Sequence, residues 1–200
     1  MKKYITTIFV LFSFLAIIPF AYAELENVTE YKFIKKWGGA GEDDGQFLRP
    51  HDLDFSPDEE ILYIADRDGA RIQAFDKEGN FLFKWGKKGT GEGEFTTPYG
   101  VDVDSEGNVW IADRGNHRIQ KFDSQGNFIM LFGNGDFKHS DEPGKFDNPR
   151  HVLVDKDVKY VYVADSKNDR IQKFDVNGTF IKVIGKSGVG PGEFSLVTTI

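Results

Sequence analysis

Ile111-Ala112-Asp113-Arg114-Gly115-Asn116-His117-Arg118-Ile119-Gln120-Lys121-Phe122-Asp123 is a phrase that this chain writes three times, with variants starting at Ile64 and at Val163. The aspartates that follow its alanine, Asp66, Asp113 and Asp165, recur at intervals of 47 and 52 residues. A period of that size marks a repeat architecture, in which one unit cannot bury its apolar faces without neighbours. It is longer than a solenoid turn and suits one small antiparallel sheet per unit, the blade of a β-propeller.

Outward from that phrase, the second unit reads as four short strands: Tyr99 to Asp104, Val109 to Asp113, Arg118 to Asp123 and Phe128 to Phe132. β-Branched and aromatic residues fill these runs. Ser105 to Asn108 and Ser124 to Asn127 supply the turn chemistry between them, as expected of hairpins. The fold class expected is therefore all-β, with four-stranded units over about 31–80, 81–127 and 128–179 and a partial unit over 180–200.

Positions identical in every unit serve what every unit shares, which is the blade. These include Gly45/Phe47, Gly93/Phe95, Gly144/Phe146 and Gly192/Phe194, the prolines Pro50, Pro98 and Pro149, and the turn glycines Gly79, Gly126 and Gly178. Asp66, Asp113 and Asp165 with Arg71, Arg118 and Arg170 belong to the same class. A carboxylate and a guanidinium recurring once per unit are expected to satisfy backbone groups and each other, since buried polar groups are rarely left unpaired. Trp37, Trp85, Phe132 and Ile184 share the slot before a glycine and read as plugs between units, each contributing about 1.5–3 kcal/mol when fully buried.

The string from Pro98 to Asp123 resembles the NHL repeat, and the likeness extends over about residues 31–200. That resemblance implies a β-propeller, commonly six-bladed, with ligands engaged on the faces around the central channel. Tyr31 to Trp37 matches the fourth strand of a unit that has no other strands here. Ile200 falls in register with Leu53, Val101 and Val152 at the start of a further inner strand. The expectation is three complete blades with partial strands at both ends, part of a larger ring or, less favoured, of a ring closed by two copies.

Residues 1–23 read as a secretory signal: Lys2 and Lys3 precede an apolar run to about Phe20, and Ala21-Tyr22-Ala23 has the small-x-small form of a cleavage site. Residues 24–30 read as a linker, and the expected location is secreted or periplasmic. The full chain carries a net charge of −7, and loss of the two lysines with the leader brings it to −9. Such a chain repels phosphate backbones and anionic lipid, which argues against nucleic-acid and membrane partners. With no cysteine, disulfides, thiolate metal sites and a lipidated cysteine are excluded. Two sequons, Asn27-Val28-Thr29 and Asn177-Gly178-Thr179, matter only in a glycosylating host.

If repeated positions build the blade, the varying positions at the channel end of the inner strands are where function is written. The slot after the proline holds His51, Tyr99 and Arg150, with Thr198 in the partial unit; the slot after Ala-Asp holds Arg67, Arg114 and Ser166. Carried by neighbouring blades, these side chains are expected to converge as a cationic, hydrogen-bonding cluster. The partner expected is an anionic small molecule or a carboxylate-bearing peptide, with hydration of the channel mouth as the plainer alternative.

The leading expectation is thus an exported propeller that binds a protein, peptide or small anion and performs no chemistry. The alternative is a metal-assisted lyase or hydrolase. The chain is similar in motif to the peptidyl-amidoglycolate lyases, and that likeness implies zinc held by histidines after the prolines of alternate blades. Only His51 occupies such a slot, and strict alternation turns His151 to the other face of its strand. No cofactor is expected, with zinc or calcium as the options to test. A calcium-loop imitation, Asp102-x-Asp104-x-Glu106, coincides with ordinary turn sequence. The longer connection Gly133 to Phe146 offers Phe137-Lys138-His139 as a recognition tip.

Overall fold

The computed structural model describes residues 32–133 and 138–200. The leader over 1–23, the linker over 24–30, the sequon at Asn27 and the loop residue Phe137 lie outside the described residues. No described helix is long and apolar enough to cross a membrane. Trp37–Ile200 form one compact unit, to which residues 32–36 do not belong.

Three four-stranded antiparallel meanders make up this unit. The first contains β1 (Pro50–Phe55), β2 (Ile61–Asp66), β3 (Arg71–Asp76) and β4 (Phe81–Trp85). The second contains β5 (Pro98–Val103), β6 (Val109–Asp113), β7 (Arg118–Phe122) and β8 (Phe128–Gly133). The third contains β9 (Pro149–Val154), β10 (Tyr160–Asp165), β11 (Arg170–Asp175) and β12 (Phe180–Ile184). A short parallel pair, β13 (Lys186–Ser187) with β14 (Glu193–Phe194), follows. β1 packs beside β5 and β5 beside β9, so the first strand of each sheet is innermost and the sheets fan as propeller blades.

The core lies between blades. Tyr63, Ala65, Ile72 and Ala74 of the first blade pack against Val101, Val109, Ile111 and Phe122 of the second. Trp110, Ala112 and Ile119 of the second pack against Val152, Val161, Val163 and Phe174 of the third. Among the described residues, the forward face of the first blade is covered at its outer part, where Trp37 and Phe47 meet Leu62, Ile64 and Phe75. Leu53 and Phe55 on β1 remain 55 % and 41 % exposed, whereas Val101 and Val152, the counterparts of Leu53, are buried, as is Val154, a counterpart of Phe55.

The plugs are placed as their slot suggests. Gly126 sits against the Trp85 ring, where an added Cβ would come within 2.6 Å of it, and Gly79 and Gly178 meet Trp37 and Phe132 in the same way. All three glycines have φ near +80°, so each repeated glycine answers a backbone requirement and a contact requirement together.

The recurring Asp and Arg clamp the loops between blades. Asp113 Oδ1 accepts the backbone N–H groups of Thr96 and Thr97 at 3.1 Å, and Oδ2 accepts Arg118 Nε at 3.2 Å. Arg118 then donates to the carbonyls of Thr90, Gly91 and Glu94 at 2.7–2.8 Å. Gln120 donates to Glu94 O and accepts from Gly93 N. Asp66–Arg71–Gln73 and Asp165–Arg170–Gln172 repeat the pattern. Every polar atom of the clamp is spent on the fold.

One expected strand is not formed. Lys32 to Trp37 carry no strand, because a fourth strand is held by the ladder of its own third strand, and no described strand offers that edge.

Candidate functional site at the channel mouth

Each inner strand begins with a bulge at the same place. Pro50 pairs with Asp66 and Asp52 with Ala65, so His51 is the extra residue. By the same count Tyr99 is extra between Pro98 and Gly100, and Arg150 between Pro149 and His151. A bulge leaves its extra residue out of the ladder and re-aims its side chain. The three varying side chains are therefore delivered by the same backbone device, once per blade.

These side chains meet. The His51 and Tyr99 rings meet with centroids 3.4 Å apart and planes tilted by 38°, and His51 Nδ1 lies 3.1 Å from the Tyr99 carbonyl. A carbonyl only accepts, so Nδ1 carries the proton and the neutral ring presents Nε2 as an acceptor. Three guanidinium groups gather about the Tyr99 ring, with Arg114, Arg150 and Arg67 Cζ at 5.3, 5.6 and 5.8 Å from its centroid. The ring's negative face partly offsets their mutual repulsion.

The buried Nε of Arg67, Arg114 and Arg150 has no hydrogen-bond partner. Arg67 Nε does lie 3.3 Å from Asp68 Oδ1, an ion pair without hydrogen-bond geometry. Arg114 and Arg150 have no carboxylate within 4 Å among the described residues. Burial pushes the Arg114 pKa down, and the Arg150 and Arg67 charges push it the same way. His51 is also held below the ordinary imidazole range, chiefly by burial, with Arg67 and Arg150 adding to the effect. The mouth is therefore a concentration of positive charge in a chain whose net charge is negative.

Beneath it the inner strands are tied by carboxylates. Asp52 Oδ2 accepts Val101 N at 3.0 Å, Asp54 Oδ2 accepts Val103 N at 2.7 Å, and Asp102 Oδ2 accepts Val154 N at 2.7 Å. Each aspartate satisfies an N–H on the next blade's inner strand. Gly100 makes the approach of β9 to β5 possible, since a Cβ there would lie 2.6 Å from Arg150 O. Burial raises the Asp102 pKa to about 6, and the neighbouring Asp54, Asp104 and Asp52 charges add to the rise.

Two placements differ from the sequence reading. Ser166 is fully buried and its hydroxyl donates to the Val197 carbonyl, so it is not offered to a ligand. His151 does not turn away from Arg150: both line one cavity of about 300 Å³ with His51, Asp52, Tyr99, Thr198 and Thr199. The bulge at Arg150 breaks the strict alternation on which the opposite expectation rested. The cross-blade aspartates were missed by that reading; Asp52 and Asp54 alternate with Leu53 and Phe55, a signal for one face of β1 directed towards its neighbour.

The donor set does not fit a resident zinc ion. His51 is the only imidazole in the three post-proline slots, its Nδ1 is committed to Tyr99 O, and three guanidinium groups surround its neighbour. Among the described residues no group of three His, Asp or Glu is arranged to hold a metal. In the calcium-loop imitation, Asp104 accepts from Glu106 N, Asn108 N and Trp110 Nε1 and so closes a hairpin. A second cavity of about 360 Å³ lies at the opposite end of the strands. Three of its four hydroxyls are spent within the fold: Ser56 on Asp58, Tyr63 on Ser124 O and Ser105 on Lys156 O.

Residues 95–122 match the family model of the NHL repeat. No curated protein matches the chain. Among solved structures, the chain is similar to Kuenenia stuttgartiensis hydrazine synthase, at 14 % identity and a TM-score of 0.59 over 84 % of this chain and 42 % of that one. It is also similar to the RRP9 WD40 repeats, at 16 % identity and a TM-score of 0.56 over 70 % of this chain and 39 % of that one. U3-55K gives 17 % identity and a TM-score of 0.57 over 70 % and 40 %. The chain spans about two fifths of the length of these structures, and the likeness concerns the fold. With three four-stranded blades around an inner row of strands, the chain carries an NHL repeat and takes the β-propeller fold.

Proposed function

We propose that this chain is an exported binding module whose channel mouth captures an anionic group of a small molecule or peptide. One observation supports the reading above the others: three arginines from neighbouring blades converge on Tyr99 with their buried Nε atoms unpartnered. Like charges gathered in a partly dry site raise the energy of the ligand-free protein, and an anion offsets that cost. The signal-like sequence of residues 1–23 supports export, and the acidic net charge supports selection against nucleic acid.

Citrate and inorganic phosphate, compared with chloride at matched ionic strength, test the reading by calorimetric titration of the protein. Saturable binding that Arg150→Gln weakens by about tenfold or more, in line with loss of one charge-assisted contact, is the expected result. Equal, non-saturating heats for citrate, phosphate and chloride would overturn it.

A further inference from the structure

The mouth holds two kinds of charge. The cavity of about 300 Å³ that contains Arg150 and Tyr99 also contains Asp52. The Asp52 side chain is 29 % exposed. Oδ1 accepts Leu53 N and Oδ2 accepts Val101 N, both at 3.0 Å. Each carboxylate oxygen keeps a second lone-pair site. The one basic side chain within 4 Å of Asp52 among the described residues is His151, whose Nε2 lies at 3.8 Å, beyond hydrogen-bond reach. Burial holds His151 below the ordinary imidazole range, so it brings no full charge at neutral pH. His51 adds a second acceptor beside Asp52, because its Nδ1–H is committed to Tyr99 O and its Nε2 is left open.

A plain anion in this cavity gains Arg150, the one arginine on its wall, and meets Asp52 at close range. A molecule carrying a carboxylate and an ammonium together gains both. The volume lies at the lower end of small-molecule pockets, which suits an amino acid. Thr198 and Thr199 on the wall add hydroxyl groups that donate or accept.

We propose that the channel mouth binds an amino-acid zwitterion, its carboxylate against Arg150 beside the Tyr99 ring and its ammonium between Asp52 and His51 Nε2. The proposal rests on the reading of the mouth as an anion site and adds the second pole.

Titration of the full chain with alanine, N-acetylalanine and alanine methyl ester, and with the same three forms of phenylalanine, separates the poles. In at least one series the free amino acid should bind about tenfold tighter than the N-acetyl form, or ~1.4 kcal/mol, and the ester more weakly still. Asp52→Asn should erase the preference for the free amino acid over the N-acetyl form, weakening the former and binding the latter at least as well as the parent does. Equal affinity of amino acid and N-acetyl form overturns the zwitterion and leaves the anion site standing. Binding of citrate with none of the six compounds bound does the same. An ester that binds as well as the free amino acid overturns both readings. Because the comparison is made first on the unaltered protein, it does not depend on the folding of any variant.

Discussion

Asp102 Oδ2 accepts the backbone N–H of Val154 at 2.7 Å, joining the inner strand of the second blade to that of the third. The bond favours the ionised carboxylate, yet burial outweighs it and the neighbouring aspartates add to the cost, so the pKa rises to about 6. A carboxyl raised above its unfolded value of about 3.9 is protonated more readily in the folded state. Its ionisation therefore destabilises the fold, and the loss develops as pH climbs from about 4 to about 6.

Asp102→Asn keeps an acceptor for Val154 N and removes the charge. At pH 7.5 it should stabilise the protein by roughly 1–3 kcal/mol in urea denaturation. The difference between variant and parent should vanish by about pH 4. A difference that stays constant from pH 4 to 7.5 would show that burial of this carboxyl is not the cause.

The clamp at Asp113 makes a different demand. Arg118 spreads its donors over one carboxylate and three carbonyls, a geometry that needs the guanidinium fork. Arg118→Met leaves Asp113 buried without its cation and should cost about 3–5 kcal/mol. Arg118→Lys should recover only part of this, since a point ammonium does not span four acceptors. Full recovery by lysine in a denaturation experiment would mean that charge alone holds the loop.

Gly126 and Gly107 separate contact from conformation. Both have φ near +80°, but a Cβ at Gly107 meets nothing within 4 Å, while one at Gly126 strikes Trp85 at 2.6 Å. Gly107→Ala should cost about 1–2 kcal/mol from backbone strain alone. Gly126→Ala should cost a further ~1–3 kcal/mol, as overpacking does in a filled core. Equal losses of thermal stability would remove the plug role of Trp85.

The repeat made the blades legible before any coordinates, because hydrophobic alternation and turn residues act locally and agree in all three units. The second strand of the middle blade, Val109–Asp113, is placed as expected; the third differs by one residue at its end, and the first is shifted by one residue at both ends. The convergence of His51, Tyr99 and Arg150 was legible from their common slot. Their bulges were not, since a bulge is a property of register with β2, β6 and β10 and has no period of its own. That is why His151 was expected on the wrong side. Ser166 looked equivalent to Arg67 and Arg114, but its hydroxyl is short enough to be captured by Val197 O, a contact 31 residues away that no local pattern encodes.

The arginine cluster should show its cost in the ligand-free protein. Arg114 lies among Arg150, Arg67 and Tyr99, partly dry and without a carboxylate partner among the described residues. Arg114→Gln removes one of three like charges and keeps a polar, hydrogen-bonding side chain at the position. It should therefore raise thermal stability by up to about 1 kcal/mol at low salt, a gain that shrinks as salt screens the repulsion. The same variant should weaken citrate binding, so stability and affinity move in opposite directions. A side chain serving the fold would lose both together, as Arg118 should. Melting curves of Arg114→Gln at low and high sodium chloride, beside citrate titrations of the same sample, decide between the two roles.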